Sequence, residues 1–349
     1  MPALSSPTSK VLVTGPNGYI GLWVVKTLLD RGHTVRAAVR SETRAKDLKT
    51  LFSSAGNRLE FAIVEDMLKE GAFDEAVKGV DAIQHLASPI VGKAQTNEEY
   101  IRSAVDGTLE IFKSALKNGS TVKRIVTTSS TVAVWSVYDQ EVKTFTELDW
   151  NEQDVAWVKD ETKSFDHIAA YSASKTLAER AAWDFYNTHK QEVKWDIAFV
   201  LPSMVYGPSV HSYASPAELT GTQKTWWDGV VGEGKTKETL SQGANWVDVR
   251  DVAEAQVRAL EREDAGNERF LVVAESYVWQ EWLDLSNSAL ASLSPGSATR
   301  FSQGFSDIKN QVPTTFDTSK VKRILGITYR TKEETTKDVL AQAVKLGWI

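Results

Sequence analysis

TGPNGYIG, residues 14–21, directly follows the apolar run KVLV and carries glycines at positions 15, 18 and 21. A glycine-rich loop between a strand and a helix lets the backbone approach a pyrophosphate, and the helix N-terminus offers it unpaired N–H groups. Pro16 removes one donor, so we expect the phosphate contacts to come from the N–H groups of Tyr19 and Ile20. The stretch indicates a dinucleotide site, although a plain strand-to-helix turn uses similar residues.

Apolar runs of strand length alternate with amphipathic helical segments over the first two hundred residues. The predicted strands span residues 11–13, 35–39, 61–64, 82–86, 125–128 and 197–201. The predicted helices span residues 20–31, 72–78, 100–118 and 170–189. This alternation predicts an α/β fold: a Rossmann-type, doubly wound parallel sheet with helices on both faces.

The regular alternation of predicted strands and helices ends after residue 201. Loops rich in Gly, Ser and Pro interrupt shorter elements at 203–222 and 229–245, and a polar segment near 292–312 precedes a last helix at 331–345. We therefore expect a smaller C-terminal lobe that binds substrate. The predicted division is a Rossmann domain over 1–201, to which 243–263 returns, and a substrate-binding lobe over 202–242 and 264–349.

Composition excludes several classes of function. The 349 residues are 42% hydrophobic and 25% charged, with a formal net charge of −6, which disfavours nonspecific binding to nucleic acid. The absence of cysteine removes disulfides, thiolate zinc sites and cysteine nucleophiles, and suits a reducing compartment. The five histidines show no metal-ligand spacing. The polar start and the lack of a long apolar run predict no signal peptide, no membrane span and a cytoplasmic location.

The choice of cofactor depends on the end of the second predicted strand. An NAD site places an acidic residue there to accept the ribose 2′-hydroxyl, but this chain has Arg40, with Arg44 and Lys46 just beyond. A cation at this position suits a 2′-phosphate, so the sequence predicts NADPH/NADP. Asp66, after the third strand, is either an acceptor for the adenine amino group or an ordinary turn residue.

Two further motifs point to carbonyl chemistry. TTSST (127–131) ends the fifth strand, and YSASK (171–175) lies on a helix that places Tyr171 and Lys175 on one face. Reduction of a carbonyl requires an acid to protonate the oxygen, and a nearby ammonium is expected to lower the pKa of a phenol. The lysine can also hold ribose hydroxyls, and a serine, Ser129 or Ser130, can hydrogen-bond the carbonyl oxygen.

These motifs, in this order, resemble the extended short-chain dehydrogenase/reductase family, in the branch of plant dihydroflavonol reductases and fungal aldehyde and ketone reductases. The resemblance runs nearly end to end. It includes the stretches TGPNGYIGLWVVKTLLDRGHTVRAAVR, IVEDMLKEGAFDEAVKGVDAIQHLASP, TTSSTVAV, YSASKTLAERAAW, LPSMVYGP and WVDVRDVAEA. It implies NADPH-dependent reduction of aldehydes, ketones and keto esters to chiral alcohols, as in ketoreductases and other carbonyl reductases.

The resemblance also implies roles for individual residues. Ser130, Tyr171 and Lys175 would be catalytic, and the HLASP turn (85–89) would lie beside the nicotinamide. The expected cofactor contacts are Gly15, Gly18, Tyr19, Ile20, Gly21, Arg40, Lys46, Asp66, Met67, Leu86, Ala87, Ser88, Thr128, Tyr171, Lys175, Pro202, Ser203 and Val205. The expected substrate contacts are Ser130, Trp135, Val205, Trp226 and Trp227. Of these, Trp135, Val205, Trp226 and Trp227 could equally be packing residues of the core or of the lobe.

Two alternatives remain at this point. A sugar-nucleotide epimerase or dehydratase uses the same scaffold but usually prefers NAD, and Arg40 counts against it. A non-catalytic NADPH-binding regulator is disfavoured by the intact serine, tyrosine and lysine. A serine hydrolase would need the G-x-S-x-G motif, which this chain lacks. The expected partner is a small-molecule carbonyl substrate, bound by a monomer or homodimer.

Overall fold

The computed structural model describes residues 4, 8–88, 94, 96–139, 142–293 and 301–349. The strands are β1 Lys10–Thr14, β2 Thr34–Val39, β3 Leu59–Ile63, β4 Ala82–His85, β5 Arg124–Thr128, β6 Thr144–Phe145, β7 Asp196–Pro202, β8 Met204–Tyr206, β9 Gly243–Asp248, β10 Glu268–Val272, β11 Glu275–Val278 and β12 Thr315–Phe316. The helices are α1 Tyr19–Asp30, α2 Glu42–Leu51, α3 Asn97–Asn118, α4 Glu152–Lys159, α5 His167–His189, α6 Gly221–Val230, α7 Lys237–Ser241, α8 Val249–Glu261, α9 Trp279–Leu293 and α10 Lys332–Lys345.

The central sheet has seven strands in the order β10-β7-β5-β4-β1-β2-β3, and every neighbouring pair is parallel. The chain order reverses between β1 and β4, and ligands of doubly wound sheets bind at this crevice, beyond the carboxyl ends of the strands. The predicted fold class is confirmed, and each of the six predicted strands is present in this sheet.

The apolar runs form strands here because both faces of the sheet are covered. Val11 and Val13 of β1 pack with α1 and α8 in one core, whereas Leu12 points to the opposite face and packs with residues of α3. All three side chains are fully buried. Since successive strand residues face opposite sides, a strand with a core on each side must be apolar at every position.

One predicted helix is wrong. Residues 72–78 form a series of turns between Gly71 and Gly79, both of which have positive φ. Phe73 and Val77 are buried, so the apolar spacing reflects real burial. The segment between the two glycines is too short for a regular helix to propagate, because helix nucleation is costly.

The C-terminal part builds a second layer beside the main sheet. Strands β11, β9 and β8 form a small sheet, and its core is a cluster of aromatic side chains that includes Trp246 and Trp282. Helix α8 contacts α1, β5 and β7, while the preceding strand β9 belongs to the small sheet. The short parallel pair of β6 with β12 ties the C-terminal segment to the region after β5. The domain boundaries given above stay a prediction.

Across the described ranges, we find no helix that combines the length and the apolar character needed to cross a membrane.

Candidate active site

A cavity of about 1270 Å³ opens along the carboxyl ends of β1, β5 and β7. Its walls come from the glycine loop, from helix α5 and from the C-terminal segment 307–316. The sequence-predicted residues that line it are Gly15, Gly18, Tyr19, Ile20, Gly21, Leu86, Thr128, Ser130, Trp135, Tyr171, Lys175, Pro202, Ser203 and Val205. The fold thus brings the predicted cofactor loop and the predicted catalytic residues to one cavity.

The glycine loop is built around close backbone approaches. Gly15 has φ +66°, and a Cβ there would lie 2.9 Å from the backbone nitrogen of Ala87. A Cβ on Gly21 would collide with the carbonyl oxygen of Gly15. Gly18 caps α1 without a side-chain hydrogen bond, so the N–H groups of the first helical turn are not satisfied by a cap. Such a loop fits a dinucleotide pyrophosphate.

The basic residues that follow the second strand, Arg40, Arg44 and Lys46, are not among the residues that line the cavity. Arg40 and Lys46 are exposed, and neither side chain has a hydrogen-bond or ion-pair partner among the residues that the structure describes. The Asn17 amide donates to the carbonyl oxygen of Arg44 at 3.5 Å, which joins the glycine loop to the start of α2. Two cationic side chains are therefore free to meet a phosphate here.

Asp66 and Met67 remain open as cofactor contacts. The exposed carboxylate of Asp66 accepts a hydrogen bond from the Leu68 backbone at 2.9 Å, which is the turn-residue alternative. Met67 packs half-buried against the core below the sheet. Neither residue lines the large cavity.

Helix α5 carries Tyr171 and Lys175 into the cavity. The helix starts firmly, because the Asp166 side chain accepts hydrogen bonds from the backbone of Ile168 and Ala169, both at 2.8 Å. Lys175 Nζ lies 5.8 Å from the centre of the Tyr171 ring and donates to Ser88 Oγ at 3.3 Å. Both side chains therefore reach the cavity from one face of α5.

The two adjacent serines have different partners. Ser129 is buried and donates to Glu179 Oε2 at 2.6 Å. Ser130 caps the short 3-10 turn Thr131–Ala133, and its hydroxyl acts on the Tyr171 phenol to oppose a rise in the pKa of that phenol. Ser129 is thus bound to Glu179, and the catalytic role of Ser130 stays a prediction.

Burial controls the ionisation of this site. It raises the pKa of Tyr171, and the hydrogen bond with Ser130 opposes that rise. Burial also lowers the pKa of Lys175 to about 8, against the raising influence of Glu179. The net shift of the Tyr171 pKa is therefore opposite to the expected lowering, because burial of the phenol disfavours its charged form.

His85 is a structural part of the sheet edge. It is buried at the end of β4, and its Nδ1 lies 3.0 Å from Thr14 Oγ1 at the end of β1. The same hydroxyl accepts from the Ala87 backbone at 3.1 Å. Burial, and next the charge of Lys175, lower the pKa of His85 to about 3, so the imidazole is neutral. Pro89, the last residue of the HLASP turn, lies outside the described residues.

The predicted substrate residues divide into two groups. Trp135 and Val205 line the cavity, and Trp135 packs 6.1 Å from Phe316, another lining residue. Trp226 and Trp227 are not among the residues that line it, and their role as substrate contacts stays a prediction. Both belong to α6, where Trp226 packs on Trp282 and Trp227 packs on Trp348.

Some residues that line the cavity were not predicted from the sequence. Phe316, Thr314 and Ile308 form part of the cavity wall. They lie in a mostly irregular segment whose only regular element is the two-residue strand β12, and so short a strand leaves no periodic signal in the sequence.

The fold and the site define a dinucleotide-binding protein of the doubly wound class. More specifically, the chain belongs to the NAD dependent epimerase/dehydratase family, whose family model matches residues 11–274. It is 30% identical to NADPH-dependent methylglyoxal reductase GRE2 of Saccharomyces cerevisiae, over 96% of this chain and 98% of that protein. It is also 30% identical to ketoreductase azaE of Aspergillus niger, over 94% of this chain and 95% of that protein.

A solved structure has the same architecture. Gre2 from Candida albicans, crystallised in complex with NADPH, superposes with a TM-score of 0.82 at 29% identity and covers 97% of this chain and 99% of its own. The predicted resemblance to extended short-chain dehydrogenases/reductases and to fungal reductases is confirmed. NADPH, the predicted cofactor, is the one in that crystal and in the name of the yeast relative.

Proposed function

We propose that this protein is an NADPH-dependent carbonyl reductase that converts aldehydes, ketones or keto esters to alcohols. The observation that carries the proposal is the meeting of Ser130, Tyr171 and Lys175 in one cavity with the glycine loop. Relatives named as a methylglyoxal reductase and a ketoreductase support carbonyl reduction in general. The cavity's lining by Trp135, Val205 and Phe316 favours apolar groups beside the carbonyl.

The residues of this chain divide the work of the reaction. Bound NADPH supplies a hydride to the carbonyl carbon. Ser130 donates a hydrogen bond to the carbonyl oxygen, on which negative charge develops, and the phenol of Tyr171 gives that oxygen its proton. Lys175 stabilises the resulting phenolate by its charge and holds the ribose hydroxyls. Hydride and proton together convert the C=O group to CH–OH.

The cofactor site combines a neutral and a cationic part. The first turn of α1 offers the N–H groups of Tyr19 and Ile20 to the pyrophosphate, and Leu86, Ala87, Ser88, Pro202 and Ser203 surround the nicotinamide end. Arg40, assisted by Lys46, binds the 2′-phosphate and so selects NADPH over NADH. We propose a cytoplasmic location, where NADPH is the common reductant for such chemistry.

A sugar-nucleotide epimerase or dehydratase is the second candidate, because the family description includes both activities. It would use the same tyrosine and lysine but retain a tightly held NAD. Protein that purified with bound NAD and left added NADPH unoxidised would favour this candidate.

The central test is a screen of NADPH oxidation across aldehydes, ketones and keto esters, with the chirality of the products determined. Tyr171→Phe is expected to lower turnover by about 10²–10⁴, because it removes the proton donor, while NADPH affinity stays nearly the same. Tyr100→Phe is a matched control, since the Tyr100 hydroxyl binds His167 at 3.1 Å outside the cavity. Wild-type turnover in Tyr171→Phe would exclude the proposed mechanism.

A further inference from the structure

Glu179 is a buried carboxylate directly behind the proposed catalytic pair. It is 2% exposed and lies on α5 one turn after Lys175. Oε2 accepts a hydrogen bond from Ser129 Oγ at 2.6 Å, and Oε1 accepts from Arg269 Nε, also at 2.6 Å. Both carboxylate oxygens are therefore satisfied by groups that lie in other elements of the fold.

Arg269 is itself held rigidly. It projects from β10, donates to the carbonyl oxygens of Glu147 at 2.6 Å and Asp149 at 2.9 Å, and stacks 3.8 Å from the centre of the Trp150 ring. A guanidinium fixed by these three contacts holds its carboxylate partner in one position, because its planar donors have fixed directions. The Glu179 carboxylate of α5 is thus held in place between the end of β5 and strand β10.

The charged groups around Glu179 are few. Glu179 lines a small cavity of about 20 Å³ together with Lys175, Ser129 and His85. His85 is neutral, with its pKa at about 3. Helix α3, which packs on α5, contributes only Ala104 and Thr108 to this cavity. Glu179 therefore acts on Lys175 with one compensating cation, Arg269, on its far side.

We propose that Glu179 is a positioning residue of the reductase site, which ties the serine-bearing end of β5 to α5 and provides the counter-charge behind Lys175. The tie acts through Ser129: since Ser130 is the next residue, the position of the Ser129 hydroxyl sets where Ser130 meets Tyr171. The counter-charge keeps the lysine protonated despite its burial. This inference rests on the proposed reductase function.

Two variants separate the tie from the charge. Glu179→Gln keeps the shape and can still hydrogen-bond both neighbours, but it removes the negative charge. Ser129→Ala removes the tie and keeps the charge. Glu110→Gln is the matched control, because Glu110 is another buried carboxylate that binds the Gly71 backbone at 2.6 Å, away from the cavity.

The experiment measures kcat, the KM for NADPH and the pH profile of kcat/KM for each variant, with folding checked by thermal unfolding. In Glu179→Gln the basic limb of the profile should shift to lower pH. In Ser129→Ala kcat should fall about tenfold or more through misplacement of Ser130, with the limb and the KM for NADPH unchanged. Glu110→Gln should leave both the limb and kcat as in the wild type.

Each part of the proposal can fail separately. A basic limb at the wild-type position in folded Glu179→Gln overturns the counter-charge, and wild-type kcat in Ser129→Ala overturns the tie. Should Glu179→Gln fail to fold, Ser129→Ala still decides whether Glu179 positions the strand end. Loss of the proposed function itself looks different, because the wild-type enzyme would then show no NADPH oxidation with any carbonyl compound.

Discussion

At the scale of single residues, cofactor choice depends on Arg40. It stands at the end of β2, where an acidic side chain would select NAD, and its guanidinium is exposed and without an ion-pair partner in the described part of the chain. Nothing in the fold requires an arginine there for packing. Its position at the end of the second strand was predictable from sequence, because one βαβ unit sets the number of residues between the glycine loop and that strand end.

Replacing Arg40 by alanine should therefore change cofactor preference and little else. A charge-assisted contact with a phosphate contributes roughly 1.5–3 kcal/mol, so Arg40→Ala should raise the KM for NADPH about 10- to 100-fold while the KM for NADH changes little. Lys49→Ala, an exposed cation at the other end of α2, is the control. Equal effects on both cofactors would show that Arg40 does not read the 2′-phosphate.

At the scale of elements, the strand β1, the glycine loop and α1 form one unit with almost no tolerance for added atoms. A Cβ on Gly18 would lie 3.3 Å from the Gly15 carbonyl oxygen, a tight contact that small shifts can relieve, whereas one on Gly21 would overlap the same atom. Both partners of the Gly21 contact are backbone, so neither can swing aside.

Gly21→Ala should therefore destabilise the fold as well as weaken NADPH binding. Overpacking of this kind typically costs about 1–3 kcal/mol. Gly18→Ala should weaken NADPH binding with a smaller effect on the melting temperature, because Gly18 lines the cavity and its added Cβ meets only one tight contact. Thermal unfolding and NADPH titration of the two variants measure the contrast. Equal melting temperatures would contradict the packing argument.

The same elements show what sequence patterns can and cannot predict. The buried strands of the main sheet were predictable, because two covered faces impose an unbroken apolar run. Residues 72–78 were mispredicted as a helix, since apolar spacing reports burial and not hydrogen bonding. Sequence alone also does not say which face of α6 turns inward: Thr222 and Thr225 line the cavity, whereas Trp226 and Trp227 pack on other tryptophans.

At the scale of the whole molecule, the walls of the cavity are formed by segments that are distant in the sequence. Phe316 reaches Trp135 through the pairing of β12 with β6, and the Lys237–Asp307 ion pair joins α7 to the segment that forms the far wall. Such contacts between remote segments leave no local signature. Enclosure by these walls has an electrostatic consequence, since it withdraws the site from water.

Lys175 shows that consequence most directly. Burial lowers its pKa from the ordinary value of 10.5 to about 8, with Glu179 opposing the shift. The proposed reaction requires the charged ammonium beside Tyr171, so kcat/KM should fall as the pH rises through about 8. Stability should move the other way: between about 8 and 10.5 the unfolded chain binds more protons at this residue, so this contribution to the free energy of unfolding rises with pH.

Parallel measurement of kcat/KM and of thermal unfolding from about pH 6 to 10, the range over which the lysine titrates, tests this pairing. A loss of activity above pH 8 without a matching loss of thermal stability would assign the basic limb to Lys175. Lys175→Arg provides the control, because a guanidinium stays charged throughout this range and should abolish the limb in whatever activity remains. A limb that persists unchanged in Lys175→Arg would mean that another group titrates, and would remove the lysine from the proposed mechanism.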